Sequence, residues 1–127
     1  MKKEIRNWLD SADYDLETAE YMFKTGRYIY TVFMCHLALE KILKAKVEEV
    51  TGKTPPKTHD LEYLVGLANL SLEEDMERFV AELSNLSVVT RYPEDFQKML
   101  RDFSGERVKR VLTKTKEVFR WIKKSIS

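Results

Sequence analysis

The stretch VVTRYPEDF, Val88 to Phe96, sets a guanidinium at Arg91 beside the ring of Tyr92, a proline at 93 and the acids Glu94 and Asp95. A guanidinium stays charged at any working pH and offers a fork of N–H donors that matches a phosphate. Arg91 is therefore the first candidate for a phosphate contact, with Tyr92 as its stacking or packing neighbour. A structural reading fits the same residues: a cation suits a helix C-terminus and pairs with acids just beyond it. His36, Glu40 and Lys44 follow one another at intervals of four, so on a helix they form one line, with Lys41 beside it. Lys41 and Lys44 are secondary phosphate candidates. The structural alternative is a buried imidazole bonded to a carboxylate, then a surface ion pair. His59 comes one place after a candidate helix cap, Thr58, where it either tops a helix or joins the phosphate site.

Other chemistry is scarce. Two His, one Cys and no Glu-x-x-His pair argue against a carboxylate-bridged metal, so neither a metal nor a cofactor is expected. Four scattered Gly build no phosphate-cradling loop. Cys35 and His36 are adjacent on a helix, point about 100° apart, and form no nucleophilic pair.

The elements that must position these residues are helices. Ile5, Trp8, Leu9, Ala12, Leu16, Ala19, Met22 and Phe23 form one stripe, and Gly26 stops the first helix. The second covers about Tyr28 to Val50. Its first half, YIYTVFMCHLAL, is apolar nearly all round, so it belongs at the centre of a bundle. Gly52 and Pro55–Pro56 end it. Thr58 is the expected cap of a third helix with Asp60 in its first turn. Ser71 and Glu74 read as a capping box for a fourth, which closes near Arg91 because Pro93 pushes Tyr92 out of the helical region. Pro93 suits the first position of a short following helix, and a last one begins near Glu106. No period-two alternation or hairpin signal survives. The expectation is an all-α, up-and-down bundle of four long helices plus one or two short ones, as one domain over residues 1–127.

Composition narrows the class further. One Cys inside an apolar run supports no disulfide framework, which fits a reducing cytoplasm. No apolar stretch approaches the ~20 residues of a membrane span, and the charged N-terminus lacks the core of a signal peptide. The net charge of +1 hides an asymmetry: from Ser104 onward eight Lys/Arg face two Glu, and 14 Lys/Arg face 19 Asp/Glu before it. A solvated helix face explains the basic end better than a nucleic-acid surface does. Tyr14 and Tyr21, seven apart and off the main stripe of the first helix, form a second apolar row of the kind that becomes an interface.

WLDSADYDLETAEYMFKTGRY, HLALEKILKAK, PPKTHDL and RYPED, in this order, resemble the HEPN domain, a nucleotide-binding domain of higher eukaryotes and prokaryotes. The resemblance covers nearly the whole chain. It implies an all-α bundle, a homodimer, and often a minimal nucleotidyltransferase as partner in a toxin–antitoxin-like module. The ribonuclease branch of the family carries an Arg followed after about four to six residues by a His. Here Arg91 matches and no His lies beyond His59. The resemblance thus implies an accessory protein that binds a nucleotide or nucleic acid through Arg91, Tyr92, Lys41, Lys44 and His59, without catalytic residues. Two alternatives stand beside it: a metal-independent endoribonuclease with a rearranged site using His59 or Asp95, and a purely structural dimeric adaptor.

Overall fold

The computed structural model describes the whole chain, Met1–Ser127. Six helices follow one another: α1 (Lys3–Lys24), α2 (Tyr28–Thr51), α3 (Leu61–Leu67), α4 (Glu74–Arg91), α5 (Phe96–Asp102) and α6 (Gly105–Lys124). Four are long, two are short, and there is no strand. Every other helix packs on α2. This is the physical consequence of its apolar circumference: Val32, Cys35, Ala38, Leu39, Ile42 and Leu43 are all fully buried. Truncating one of these leucines to alanine typically costs about 2–5 kcal/mol.

α1 runs antiparallel along α2. Its buried stripe of Ile5, Leu9, Ala12 and Ala19 meets α2, while Tyr14 and Tyr21 point to solvent. Gly26 adopts a positive φ of 78° in the tight link between the two. A left-handed Gly52 ends α2, a conformation that glycine adopts without steric cost.

Three local expectations are corrected. The cap of α3 is Asp60, whose carboxylate accepts from the Tyr63 N–H at 3.1 Å; Thr58 instead accepts from the Asp60 N–H. Ser71 and Glu74 form no capping box, because α4 starts only at Glu74 and its cap position, Glu73, makes no side-chain bond. Pro93 does not open α5: Asp95 caps it by accepting from the Lys98 N–H, leaving Tyr92–Asp95 as a non-helical corner.

The charge asymmetry has a structural explanation. Basic α6 lies against acidic neighbours: Lys116 pairs with Glu20 at 2.7 Å, Lys123 with Asp13 at 3.0 Å, and Lys114 with Asp75. The cations of α6 thus partly neutralise the acids of α1 and α4. Such exposed pairs contribute little individually, about 0–1 kcal/mol. They engage three of the eight cations of α6.

Candidate functional site

The line His36–Glu40–Lys44 on α2 is real, and it is buried rather than superficial. Glu40 is its hub. One carboxylate oxygen, Oε2, accepts from Lys44 Nζ at 3.1 Å. The other, Oε1, lies 2.8 Å from His59 Nδ1 and 3.9 Å from His36 Nδ1. Lys44 Nζ also sits 5.6 Å from the centre of the Trp8 ring, and Trp8 Nε1 donates to Glu48 at 3.3 Å. A carboxylate taken from water is tolerated only when its lone pairs are used in this way.

His59 reaches Glu40 because of its loop. Pro55 is buried and anchors the approach, and the Thr58 and Asp60 turns fix the backbone on either side of the imidazole. An ionised carboxylate only accepts, so Nδ1 of His59 carries the proton and donates it to Glu40. Nε2 then faces outward on a side chain that is 64% exposed.

His36 is different. It is buried, its Nδ1 has no hydrogen-bond partner, and 3.9 Å to Glu40 is too long for a bond. Burial, chiefly, drives its pKa down to about 4, with the nearby charge of Arg91 and His59 acting in the same direction against the pull of Glu40. His36 is therefore neutral at neutral pH. Cys35, its neighbour, is equally inert: burial pushes its thiol up to about 12.

Arg91 lies at the far end of the same face of α2. Its guanidinium stands 5.1 Å from the centre of the Phe33 ring. It makes no ion pair, although Glu94 and Asp95 follow so closely in the chain. The corner after α4 carries both acids away, and Asp95 is committed to the cap of α5. The cation is partly exposed and rests on an aromatic face.

The structure thus groups the candidate residues into three places. Arg91, His59 and Lys44 share the α2 face through Phe33, His36 and Glu40. Lys44 is occupied by Glu40 and is itself buried, so it is poorly placed to meet a phosphate. Lys41 turns to α1, where it pairs with buried Asp15 at 2.8 Å and donates to Ser11 at 2.7 Å. Tyr92 is 75% exposed and lines another groove, of about 560 Å³, with Leu86, Val89, Pro93, Met99 and Phe103. Two participants escaped the sequence reading. Phe33 is the platform of Arg91, and its only signal was its place seven residues before Glu40 on one stripe. The junction of His59 with Glu40 left no signal, since a loop contact has no period. No group of three or more His, Cys, Asp or Glu is placed to hold a metal ion.

An all-α bundle wound around one central helix, with a buried carboxylate hub and an unpaired arginine at one end of it, places the chain in the class of small all-helical domains. The HEPN domain profile matches residues 5–125, and the chain belongs to that family. Two solved structures share the fold. TT1696 from Thermus thermophilus superposes with a TM-score of 0.79 at 21% identity, over 97% of this chain and 98% of that one. ST0689, an archaeal HEPN homologue, gives a TM-score of 0.77 at 19% identity, over the full length of both. Among curated proteins none matches.

Proposed function

We propose that this HEPN protein is a dimeric accessory subunit that binds a nucleotide or nucleic-acid segment and works beside a minimal nucleotidyltransferase in a toxin–antitoxin-like module. The observation that carries the binding role is Arg91: a partly exposed guanidinium over the Phe33 ring with no carboxylate of its own chain. A cation left unpaired so close to Glu94 and Asp95 is available to an external anion, and a phosphate is the anion its fork fits. Tyr92 contributes packing at the adjoining corner. His59 is the second polar group on the same face, while Lys41 and Lys44 act through the internal pairs that hold that face together. No helix is long and apolar enough to cross a membrane.

The pairing role draws on the corner after α4. Val88, Val89, Tyr92, Phe96 and Leu100 are all exposed within one short stretch of chain. Clustered exposed apolar residues of this kind are the mark of an interface. A catalytic reading lacks a downstream His in the Arg91 segment. Its one support is that Glu40 holds His59 in the tautomer a general base needs. Incubation of the purified protein with unstructured RNA separates the two readings. RNA left intact keeps the binding role; cleavage lost in both Arg91→Ala and His59→Ala replaces it.

Calorimetry with nucleotides and short RNAs tests the phosphate role. Arg91→Ala is expected to weaken binding about tenfold or more, and equal affinity in both proteins removes the proposal. Co-expression with a small nucleotidyltransferase encoded alongside, followed by size-exclusion chromatography, tests the partner.

A further inference from the structure

We infer that His59, aimed by Glu40, is a second and acid-dependent phosphate contact of the Arg91 site, which therefore takes a nucleotide chain with at least two phosphodiesters. The inference rests on the reading of Arg91 as a phosphate contact and adds the ligand's length and the condition for holding it.

The tautomer supplies the acid dependence. Nδ1 of His59 is pinned as a donor on Glu40 at 2.8 Å. The neutral ring then shows a bare lone pair at Nε2, and a lone pair cannot donate to a phosphate oxygen. Only the imidazolium, with a proton on each nitrogen, presents both an N–H and a positive charge outward. The second contact is consequently absent from the neutral ring and appears when it takes a proton. Glu40 is a positioning residue in this scheme: it touches no ligand and acts by fixing which nitrogen is free.

The charged neighbours are few. On α2 the imidazole faces Glu40, with Lys44 on the other carboxylate oxygen and His36 close by. From α4 the nearest cation is Arg91, whose field and that of His59 both reach His36. In its own loop, Asp60 is turned to the Tyr63 N–H. The chain has two His, and burial keeps His36 neutral down to about pH 4. His59 is the exposed one of the two, with its ring at the edge of the Glu40 hub.

Spacing supplies the ligand length. Arg91 stands over Phe33 and His59 over Glu40, seven residues apart on α2. Along the axis of α2 their two supports therefore lie two helical turns, about 10 Å, apart. The oxygens of one phosphate do not span such a distance, but successive phosphates of an extended chain do.

The test uses the whole protein and two probes whose charge does not change with pH: the trinucleotide UpUpU, with two phosphodiesters, and the dinucleotide UpU, with one. Affinities are measured by calorimetry at about pH 8 and about pH 5.5, on either side of the range where imidazole titrates. UpUpU is expected to bind about tenfold more tightly at the lower pH, the effect of one added charged hydrogen bond. UpU is expected to gain much less. His59→Gln flattens the UpUpU profile. A gain that persists in His59→Gln, or that UpU shares in full, overturns the inference and leaves Arg91 untouched. Wild-type affinity in Arg91→Ala at about pH 8 overturns the underlying reading instead, and no binding of UpUpU at either pH overturns both. Nitrogen-15 spectra of the free protein give a check that needs no ligand: Nδ1 of His59 must carry the proton, and the opposite tautomer ends the proposal.

Discussion

Two regions on α2's flank handle charge in opposite ways. At the Glu40 hub, a buried carboxylate is surrounded by Lys44, His59 and His36, and each of its oxygens is engaged inside the chain, one by Lys44 and one by His59. At the α4–α5 corner, Arg91 keeps a full charge without a partner and is flanked by exposed Val88, Val89 and Tyr92. The first arrangement is what a fold needs when polar groups are buried. The second is what a fold does not need, since unpaired cations and clustered exposed apolar side chains add little to intramolecular stability. The contrast separates residues that hold the bundle from residues that remain available to something outside it. Opposite responses to substitution follow.

The sharpest break in this contrast comes from Glu40→Ala. It strands Lys44 as a buried, unpaired cation, and removal of one partner from a buried pair typically costs about 3–5 kcal/mol. Urea unfolding followed by circular dichroism is the measurement. A loss below about 1 kcal/mol, the range of exposed pairs, means the hub is solvated and no longer differs from the corner.

His36 gives the next effect through pH. Its folded pKa is depressed to about 4 from an ordinary value near 6.5. Above about pH 6.5 both folded and unfolded chains carry it neutral, and it exacts no penalty. As pH falls from there toward 4, the unfolded chain takes up the proton and the folded one does not, so stability declines and then levels off below 4. The total is about 3 kcal/mol. Urea midpoints in wild type and His36→Gln across this window check it: the variant is expected to lose that part of the acid slope, and an unchanged slope assigns the acid sensitivity elsewhere.

How far the sequence revealed these two regions depends on which residues were periodic. Helix register is periodic, so the central place of α2 was legible from YIYTVFMCHLAL, and so was the line His36–Glu40–Lys44. The end of α4 at Arg91 followed from the steric demand of Pro93. Caps were less legible. Ser71 and Glu74 had the right types and spacing, yet Leu72 and Glu73 stay outside the helix, which begins later. Thr58 and Asp60 are both good caps, and only the packed loop chose between them. The burial of the Glu40–Lys44 pair was hidden, because Glu and Lys four apart read as a surface pair in most helices. The contact of that carboxylate with His59, 19 residues away, was equally invisible in the register of one helix.

Arg91→Ala probes the corner and is expected to cost only about 1 kcal/mol, combining the loss of a cation at the end of α4 and of its contact with the Phe33 ring. Thermal unfolding measures the stability side, and nucleotide affinity measures the other. The two must diverge: a small change in stability with a large change in binding. A loss of several kcal/mol with no change in binding transfers Arg91 to the group of residues that hold the bundle, and makes the chain a structural adaptor.

The smallest expected effect on folding, and the most specific test of the corner, is the double substitution Val88→Gln and Val89→Gln. Both side chains are about half exposed, and glutamine is a good helix former, so α4 itself has little to lose. Surface changes of this type typically alter stability by about 0.5 kcal/mol or less. If the patch is the pairing face, light scattering at micromolar concentration shows the wild type as a dimer and the variant as a monomer with the same unfolding midpoint at low concentration. A dimer in both proteins moves the pairing surface elsewhere, and the tyrosine row of Tyr14 and Tyr21 is the next to test, through Tyr14→Glu and Tyr21→Glu. A monomer in both removes the reason these valines were expected to face a partner copy. A fold-level loss above about 1 kcal/mol would mean that Val88 and Val89 serve the bundle after all, and the line drawn between the hub and the corner would no longer divide the molecule.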